Sequence, residues 1–310
     1  MTTEAKSPEA DSTTAGPGTT GAGAAEGAEL NAVERTALLT AALRAAETRR
    51  TDRLYEDPYA ALLAGDIGTG LLAEVRAATF PAAAPRTVPS TPDYNAIRTR
   101  FFDDYLQQAA REPGMTQIVL APAGMDSRAY RLDWPAHIRW FEVDRPSVLA
   151  YKADRLAGVA ARTDHRTVPV DLTSPDWEQD LVAAGYDPAA PSTWLLEGLL
   201  YYIPEPDTHR ILERVAAISA PGSRIAADIV NADALTLPQM RPLLDVFAGW
   251  NCPWLFGSDE PEALFDRYGY TVHAAQPGDP EADFGRWSDP VPPRSVPGHR
   301  RVFFVHGRRR

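Results

Sequence analysis

Residues 118–132 read IVLAPAGMDSRAYRL and contain a transition from a predicted strand to a predicted helix. An apolar run typical of a buried strand ends in small residues around Gly124, and a charged, helix-compatible segment follows. A strand that passes through a tight turn into a helix begins a βαβ unit, and such a turn often binds a ligand. The stretch therefore predicts a cofactor-binding turn, in which Pro122 removes one backbone N–H group.

The same alternation continues along the chain and predicts the fold class. Short β-rich runs lie at 117–121, 138–143, 167–170, 193–196, 224–230, 270–275 and 301–306, and helix-compatible segments lie at 146–161, 175–184 and 206–218. Strands that alternate with helices predict a parallel sheet covered on both faces. The last two runs have no clear helix between them and should pair antiparallel. We expect an α/β protein with a Rossmann-like, seven-stranded sheet.

The segment before the sheet divides into two parts. Residues 1–29 contain no large apolar residue after Met1, so we expect a disordered tail. From residue 30, apolar residues recur at helical spacing, and a Pro-rich loop at 79–92 precedes a helix that opens at Thr91-Pro92 and runs to about residue 110. We expect residues 30–112 to form a helical cover that closes over a cofactor, and residues 113–310 to form the cofactor-binding core.

Composition restricts the class of protein. The chain has 310 residues, a net charge of -11 and a single cysteine, Cys252. The acidic balance argues against nucleic-acid or anionic-membrane partners, and a lone cysteine allows no intrachain disulfide. The first residues lack the basic start and apolar core that are typical of a secretory signal, and no apolar run approaches the roughly 20 residues that span a bilayer. We expect a cytoplasmic protein without membrane partners.

Acidic residues follow the next three predicted strands. Asp144 ends the second strand, Asp171 follows the third and Glu197 follows the fourth. A single acid at a strand end is often a helix N-cap, but ligands bind beyond the carboxyl ends of parallel strands, where these three side chains should meet. Asp144 lies about 20 residues beyond Gly124, the spacing at which an acid binds ribose hydroxyls.

The turn itself disfavours a dinucleotide. A pyrophosphate requires several backbone N–H groups and close approach, which the pattern G-x-G-x-x-G provides. Here the turn has one glycine, Gly124, and Pro122 has no N–H. A cofactor with a nucleoside but no phosphate, such as S-adenosylmethionine, fits this turn better, with NAD as the alternative.

Five segments between residues 95 and 204 carry a family resemblance. They are AIRTRFFDDYL, AGMDSRAYRL, FEVDRPSVLAYK, VPVDL and WLLEGLLYYIP. Together they resemble the leucine carboxyl methyltransferase family, especially its bacterial polyketide O-methyltransferase-like branch. The resemblance implies a methyltransferase sheet with an N-terminal helical cover. It also implies an S-adenosylmethionine-dependent O-methyltransferase of secondary metabolite biosynthesis that acts on a small natural-product-like or peptide acceptor.

The resemblance also implies roles for residues around the methionine part of the cofactor. Arg98 would pair with its carboxylate, and Arg100 is the alternative because the register of this helix is open. Ala123 and Gly124 would let the backbone approach the methionine moiety, and Glu197 would lie near its amino end.

For the nucleoside, the resemblance places Asp144 on the ribose and Asp171 with Leu172 on the adenine edge. Tyr201 and Tyr202 follow in the chain, and we assign them to the acceptor site as candidate catalytic residues.

The residues leave two questions open, namely which group accepts the methyl and which class of reaction the protein catalyses. An ionised carboxylate needs no general base, whereas a phenol benefits from one, and we prefer a carboxylate because the sequence offers no clear base. Asp228, Asn231 and Asp233 lack a fourth metal ligand, so we expect no metal site. A regulatory protein that binds S-adenosylmethionine without turnover and an NAD-dependent oxidoreductase are the alternatives.

Overall fold

The computed structural model describes residues 1–2, 31–78, 91–287 and 291–310, and its centre is a seven-stranded sheet. The strands are Gln117–Leu120 (β1), Arg139–Asp144 (β2), Asp164–Pro169 (β3), Ser192–Leu196 (β4), Arg224–Val230 (β5), Tyr270–Ala275 (β6) and Val302–Arg309 (β7). Their order across the sheet is β3-β2-β1-β4-β5-β7-β6. Strands β1 to β5 are parallel, and β7 runs antiparallel between β5 and β6. The order reverses between β1 and β4, so a crevice opens there beyond the carboxyl ends of the strands.

Helices precede the sheet and connect its strands. In the described part of the chain they are Ala32–Thr48 (α1), Ala60–Ala78 (α2), Thr91–Ala109 (α3), Arg128–Arg131 (α4), Pro146–Arg155 (α5), Trp177–Ala183 (α6), Glu205–Ala217 (α7), Arg241–Gly249 (α8) and Pro261–Asp266 (α9). Helix α1 begins with a capping box, in which Asn31 and Glu34 satisfy each other's backbone N–H groups. Helix α2 is kinked at Gly65, whose φ is 56°.

The helices cover both faces of the sheet because its central strands are apolar on both sides. Every residue of β1 and β4 is buried. Ile118 and Leu120 belong to a core that also contains residues of α1, α2 and α3, whereas Val119 belongs to a second core with α6 and α7. Alternate side chains of a strand point to opposite faces, which explains this division.

The predicted fold class is confirmed. Five parallel strands are followed by an antiparallel pair, in which His273 lies opposite His306, and helix α3 begins at Thr91 as its N-cap sequence indicates. Residues 3–29 of the predicted tail and residues 79–90 of the predicted loop lie outside the described residues.

Candidate functional site

The carboxyl ends of β1, β2, β3 and β4 border a cavity of about 220 Å³, which we call the strand-end cavity. Helix α1 forms its opposite wall. The nine residues that the sequence assigns to the cofactor or acceptor all line it: Arg98, Ala123, Gly124, Asp144, Asp171, Leu172, Glu197, Tyr201 and Tyr202. The fold therefore brings the nine predicted residues into one cavity wall, although they lie up to about a hundred positions apart in the chain.

The turn after β1 is fixed to the end of β2 by Asp144. Its carboxylate accepts hydrogen bonds from the backbone N–H groups of Gly124, at 2.6 Å, and Arg145, at 2.7 Å. Gly124 has a φ of 48°, and a Cβ atom there would lie 3.3 Å from the Cβ of Ala37 in α1. The left-handed backbone therefore favours glycine at this position, and the close approach of α1 leaves little room for a larger side chain.

Asp144 is buried, with 8% of its surface exposed. Burial raises the pKa of Asp144 to about 6, although the two backbone hydrogen bonds act in the opposite direction. A carboxylate with this pKa changes its charge in the mildly acidic range, so any ligand that binds to it should do so in a pH-dependent manner.

The described wall of the strand-end cavity is acidic overall. It contains three arginines and five carboxylates, namely Arg44, Arg98, Arg145, Glu34, Asp126, Asp144, Asp171 and Glu197. Each of the three arginines contacts a carboxylate within 3.1 Å. Such a wall suits a ligand that carries positive charge and offers little to the two charges of a pyrophosphate.

Arg98, and not the alternative Arg100, lies in this wall. Its Nε is 3.1 Å from Glu197 Oε1, and its Nη1 is 2.8 Å from Asp228 Oδ2. Arg100 is on the solvent side of α3, where it pairs with Asp104 at 2.8 Å. The structure thus settles the helical register that the sequence left open.

Asp228 lies beneath the site, and sequence reasoning did not assign it to this role. It is fully buried and also accepts hydrogen bonds from Tyr94 Oη at 2.7 Å and from the backbone N–H of Gly198 at 2.6 Å. Its position among the apolar residues at 225–230 of β5 was the available signal. Because its donors come from α3 and from the turn after β4, Asp228 joins the helical cover to the sheet.

Glu197 is held by two arginines. Besides Arg98, Arg128 approaches it with Nη1 at 2.9 Å, and Arg128 also binds Asp103 at 2.6 Å and contacts Asp126. Arg128 belongs to the turn segment at 118–132, but its partners Asp103 and Glu197 lie far from it in the chain and no local pattern indicates them. The side chain of Glu197 retains 17% exposure, so it is positioned by the protein and still accessible from the cavity.

A second cavity of about 90 Å³, which we call the aromatic cavity, adjoins the first. Residues of α1 and α3 at helical spacing line it: Thr36, Leu39, Thr40 and Leu43 from α1, and Thr91, Tyr94, Asn95 and Arg98 from α3. Phe247 and Trp254, from the connection between β5 and β6, complete an aromatic wall. A third aromatic residue of the same connection, Phe256, packs instead in the core on the other face of the sheet.

Tyr201 and Tyr202 line both cavities. The hydroxyl of Tyr201 is 3.3 Å from Asp228 Oδ2. Burial and the neighbouring Asp228 raise the pKa of Tyr201 well above its ordinary value, and burial also raises the pKa of Tyr202. Both side chains keep their protons near neutral pH, so their geometry favours lining and positioning over proton removal.

The described residues contain no group of three or more His, Cys, Asp or Glu side chains arranged to hold a metal ion. Asn231, which we considered with Asp228 as a metal ligand, instead binds the backbone of the segment that precedes β7. Its side-chain amide donates to the carbonyl oxygen of His299 and accepts from the backbone N–H of Arg301. Within the same part of the chain, none of the helices has the length and apolar character needed to cross a bilayer.

Comparison with known proteins identifies the family. The model of the leucine carboxyl methyltransferase family matches residues 37–216, more than half of the chain. The chain belongs to the leucine carboxyl methyltransferase family. The matched segment contains all nine of the assigned residues that line the strand-end cavity.

A relative of this family member is a putative S-adenosyl-L-methionine-dependent methyltransferase from Mycobacteroides abscessus. The two are 44% identical over 204 residues, which cover 63% of this chain and 64% of the relative. The match thus spans less than two thirds of the relative's length.

Two solved structures share the fold of this leucine carboxyl methyltransferase family member. A DUF574 family protein from Streptomyces avermitilis has a TM-score of 0.58 and 13% identity, over 84% of this chain and 97% of that one. A putative methyltransferase from Thermobifida fusca has a TM-score of 0.55 and 19% identity, over 84% of this chain and 94% of that one.

Proposed function

We propose that this protein is an S-adenosylmethionine-dependent O-methyltransferase that methylates the carboxylate of a small acceptor. The cofactor is S-adenosylmethionine, in accord with the family and with the relative from Mycobacteroides abscessus.

The wall of the strand-end cavity fits this cofactor. S-adenosylmethionine carries a sulfonium and an ammonium, and the described wall has more carboxylates than arginines. Asp144 would accept hydrogen bonds from the ribose hydroxyls, and Asp171 with Leu172 would border the adenine. A charge-assisted hydrogen bond is worth about 1.5–3 kcal/mol, so Asp144 alone would account for a large part of the affinity.

The methionine part would lie between the turn after β1 and α3. Ala123 and Gly124 would present backbone to it, and Glu197 would face its ammonium. Arg98 has five N–H donors, of which Nε and Nη1 already face Glu197 and Asp228, so it would bind the methionine carboxylate with the donors that remain.

When bound, S-adenosylmethionine supplies a methyl group on a positively charged sulfur, which keeps the electron pair of the C–S bond as an acceptor oxygen forms the new C–O bond. The protein's part is to align the acceptor, exclude water and fix the charges around the site. The aromatic cavity adjoins the strand-end cavity through five shared residues, Thr36, Thr40, Arg98, Tyr201 and Tyr202, and for this reason we assign the acceptor to it.

The choice of a carboxylate rests on one observation. The described wall of the aromatic cavity contains no His, Asp, Glu or Lys, and its ionisable side chains are three tyrosines and two arginines. Burial raises the pKa of each of these tyrosines, so none of them accepts a proton near neutral pH. A carboxylic acid, with an ordinary pKa of about 4, arrives already ionised and needs no base.

Methyl-labelled cofactor tests the proposal. The purified protein is incubated with S-adenosylmethionine labelled in its methyl group and with pairs of acceptors that differ only in carrying a carboxylate or a hydroxyl. We expect label in the acids, and we expect base to release it as methanol because the product is an ester. A base-stable label would refute the carboxylate and indicate a hydroxyl acceptor.

Calorimetry separates the remaining alternatives. We expect the protein to bind S-adenosylmethionine and not NAD, and Asp144→Asn to weaken binding at least about tenfold. Asp104→Asn, an exposed change on α3, serves as the matched control and should leave binding unchanged. Binding of NAD alone would indicate an oxidoreductase, and cofactor binding without transfer to any component of a cell extract would indicate a regulatory protein.

A further inference from the structure

Arg128 connects two carboxylates in the wall of the strand-end cavity. It is buried, and its Nη1 lies 2.9 Å from Glu197 Oε2 and also contacts Asp126 Oδ2. Because both oxygens are within hydrogen-bond distance of one nitrogen, the two carboxylates lie close together. Asp126 is also fixed by the backbone, since its Oδ1 accepts a hydrogen bond from the N–H of Arg128 at 2.7 Å. Both acids line the cavity, with 12% and 17% of their side chains exposed, but only Glu197 has a role so far.

The guanidinium of Arg128 is itself part of a chain of buried ion pairs. Its Nε lies 2.6 Å from Asp103 Oδ1, and the same oxygen lies 2.6 Å from Nη2 of Arg131. Arg131 Nε then lies 3.9 Å from the carboxylate of Asp57, which binds Arg44 Nε at 2.8 Å. The pair of acids at the cavity therefore belongs to a network that reaches from the turn after β1 into α1 and α3.

This ion-pair chain contains more negative than positive charge. At its other end Arg98 joins Glu197 to Asp228, at 3.1 and 2.8 Å. Within the described ranges the chain thus links four arginines to five carboxylates, and none of their side chains is more than 17% exposed. Buried charges are costly unless opposite charges balance them. The excess carboxylate therefore indicates a cation that a ligand supplies.

Asp126 has the properties of a ligand for such a cation. Burial acts against its ionisation, but Arg128, Lys152 and Arg44 outweigh burial and lower the pKa of Asp126, so it is negatively charged at neutral pH. Lys152 is itself paired with Glu142 at 2.7 Å. An ammonium group has three N–H donors and can bind two neighbouring carboxylates at once.

We propose that Asp126 is a second ligand for the ammonium group of S-adenosylmethionine, which lies between the carboxylates of Asp126 and Glu197. The inference rests on the proposed function, which places the methionine part of the cofactor between the turn after β1 and α3. The cofactor carries two positive groups and one carboxylate, so its binding balances the excess negative charge of the ion-pair chain.

The test compares three ligands with the full-length protein by calorimetry. They are S-adenosylhomocysteine, an analogue in which hydrogen replaces its amino group, and an analogue in which hydrogen replaces its carboxyl group. Loss of the amino group should weaken binding about a hundredfold, because each of two charge-assisted contacts is worth about tenfold or more. A loss of about tenfold or less would correspond to one carboxylate and would overturn the proposal.

Two variants assign this preference for the amine to residues. Asp126→Asn and Glu197→Gln should each weaken the binding of both amines about tenfold and leave the binding of the deaminated analogue nearly unchanged. Asp171→Asn is the matched control, because it removes a carboxylate of the same wall at the proposed adenine edge, and it should affect all three ligands alike. Retention of the full amine preference in Asp126→Asn, or an equal loss of it in Asp171→Asn, would contradict the assignment.

Binding of the deaminated analogue also shows whether a variant is folded. If Asp126→Asn binds none of the three ligands, the comparison of ligands in the wild-type protein decides the proposal without it.

Transfer of labelled methyl, measured on the same samples, distinguishes this inference from the proposed function. Methyl transfer by the wild-type protein, together with an unchanged amine preference in Asp126→Asn, would reject the second ligand and leave the methyltransferase intact. Conversely, an amine preference that depends on Asp126, without transfer to any acceptor, would support the second ligand and reject the proposed function.

Discussion

Cofactor affinity should depend on pH through Asp144, whose carboxylate bridges Gly124 and Arg145 at the edge of the strand-end cavity. Its pKa is raised to about 6. At pH 5 about one tenth of the protein then has Asp144 ionised, and at pH 7 about nine tenths, by the ordinary titration relation. If only the ionised form accepts the ribose hydroxyls, affinity should rise about tenfold over this range, or about 1.4 kcal/mol.

The free energy of unfolding of the cofactor-free protein should fall as the pH rises, whereas cofactor affinity rises. The folded-state pKa of Asp144 lies above its ordinary value near 4, so the protonated form stabilises the cofactor-free protein. This contribution is complete below about pH 4 and is lost as the pH rises through 6, and it amounts to about 3 kcal/mol. Protection of the folded state by the cofactor should therefore be larger at pH 7 than at pH 5.

Isothermal titration between pH 5 and 7 measures the effect directly. Few other groups interfere, because the α-carboxyl and α-amino groups of an amino acid titrate outside this range and the described cavity wall has no histidine. Asp144→Asn should bind weakly at every pH, without the tenfold slope. Asp171→Asn is the matched control, because the pKa of Asp171 is lowered and it stays ionised throughout. A flat wild-type profile, or a slope that persists in Asp144→Asn, would show that Asp144 does not control the pH dependence of cofactor affinity.

Three further changes test the rest of the site. Asp228→Asn should lower the free energy of unfolding, measured in urea, by about 3–5 kcal/mol, because it removes a negative charge that pairs with the buried guanidinium of Arg98. A loss below about 1 kcal/mol would contradict this expectation. Gly124→Ala should cost about 1–2 kcal/mol of stability and also weaken cofactor binding, whereas Gly114→Ala, with positive φ but no atom within 4 Å of its Cβ, should affect stability alone. Tyr201→Phe should lower kcat by less than about tenfold and leave its pH profile unchanged, because the hydroxyl lines the site without transferring a proton. A loss of about 10²–10⁴-fold, which is typical of acid–base groups, would show a catalytic role.

The strands were predictable because each is a local pattern. Residues 117–121 and 224–230 are short apolar runs bounded by turn residues, and the structure has β1 and β5 within a residue of these bounds. The acids at strand ends were predictable for a related reason. Parallel strands bring their carboxyl ends to one edge, so local positions determine a shared site.

The features that the sequence did not predict depend on contacts between distant segments or on the packing of helices. Arg98 and Asp228 are 130 residues apart, and no local pattern shows that they meet. Helix α2 contains Gly65, Gly68 and Gly70, which lower helix propensity and obscure the pattern. At Gly68 a Cβ would lie 2.4 Å from the carbonyl oxygen of Leu38, so glycine is required there for α1 and α2 to pack closely.

The shared wall of the two cavities has a consequence for the kinetics of the proposed reaction. Thr36 and Thr40 of α1, together with Arg98 and the two tyrosines, face both chambers, so a molecule in the strand-end cavity would become one wall of the aromatic cavity. An acceptor that enters before the cofactor would meet a binding surface that lacks this wall. It would also lie across the boundary between the two cavities, which the cofactor must reach. We therefore expect a compulsory order of addition, in which the nucleoside cofactor enters first and its demethylated product leaves last.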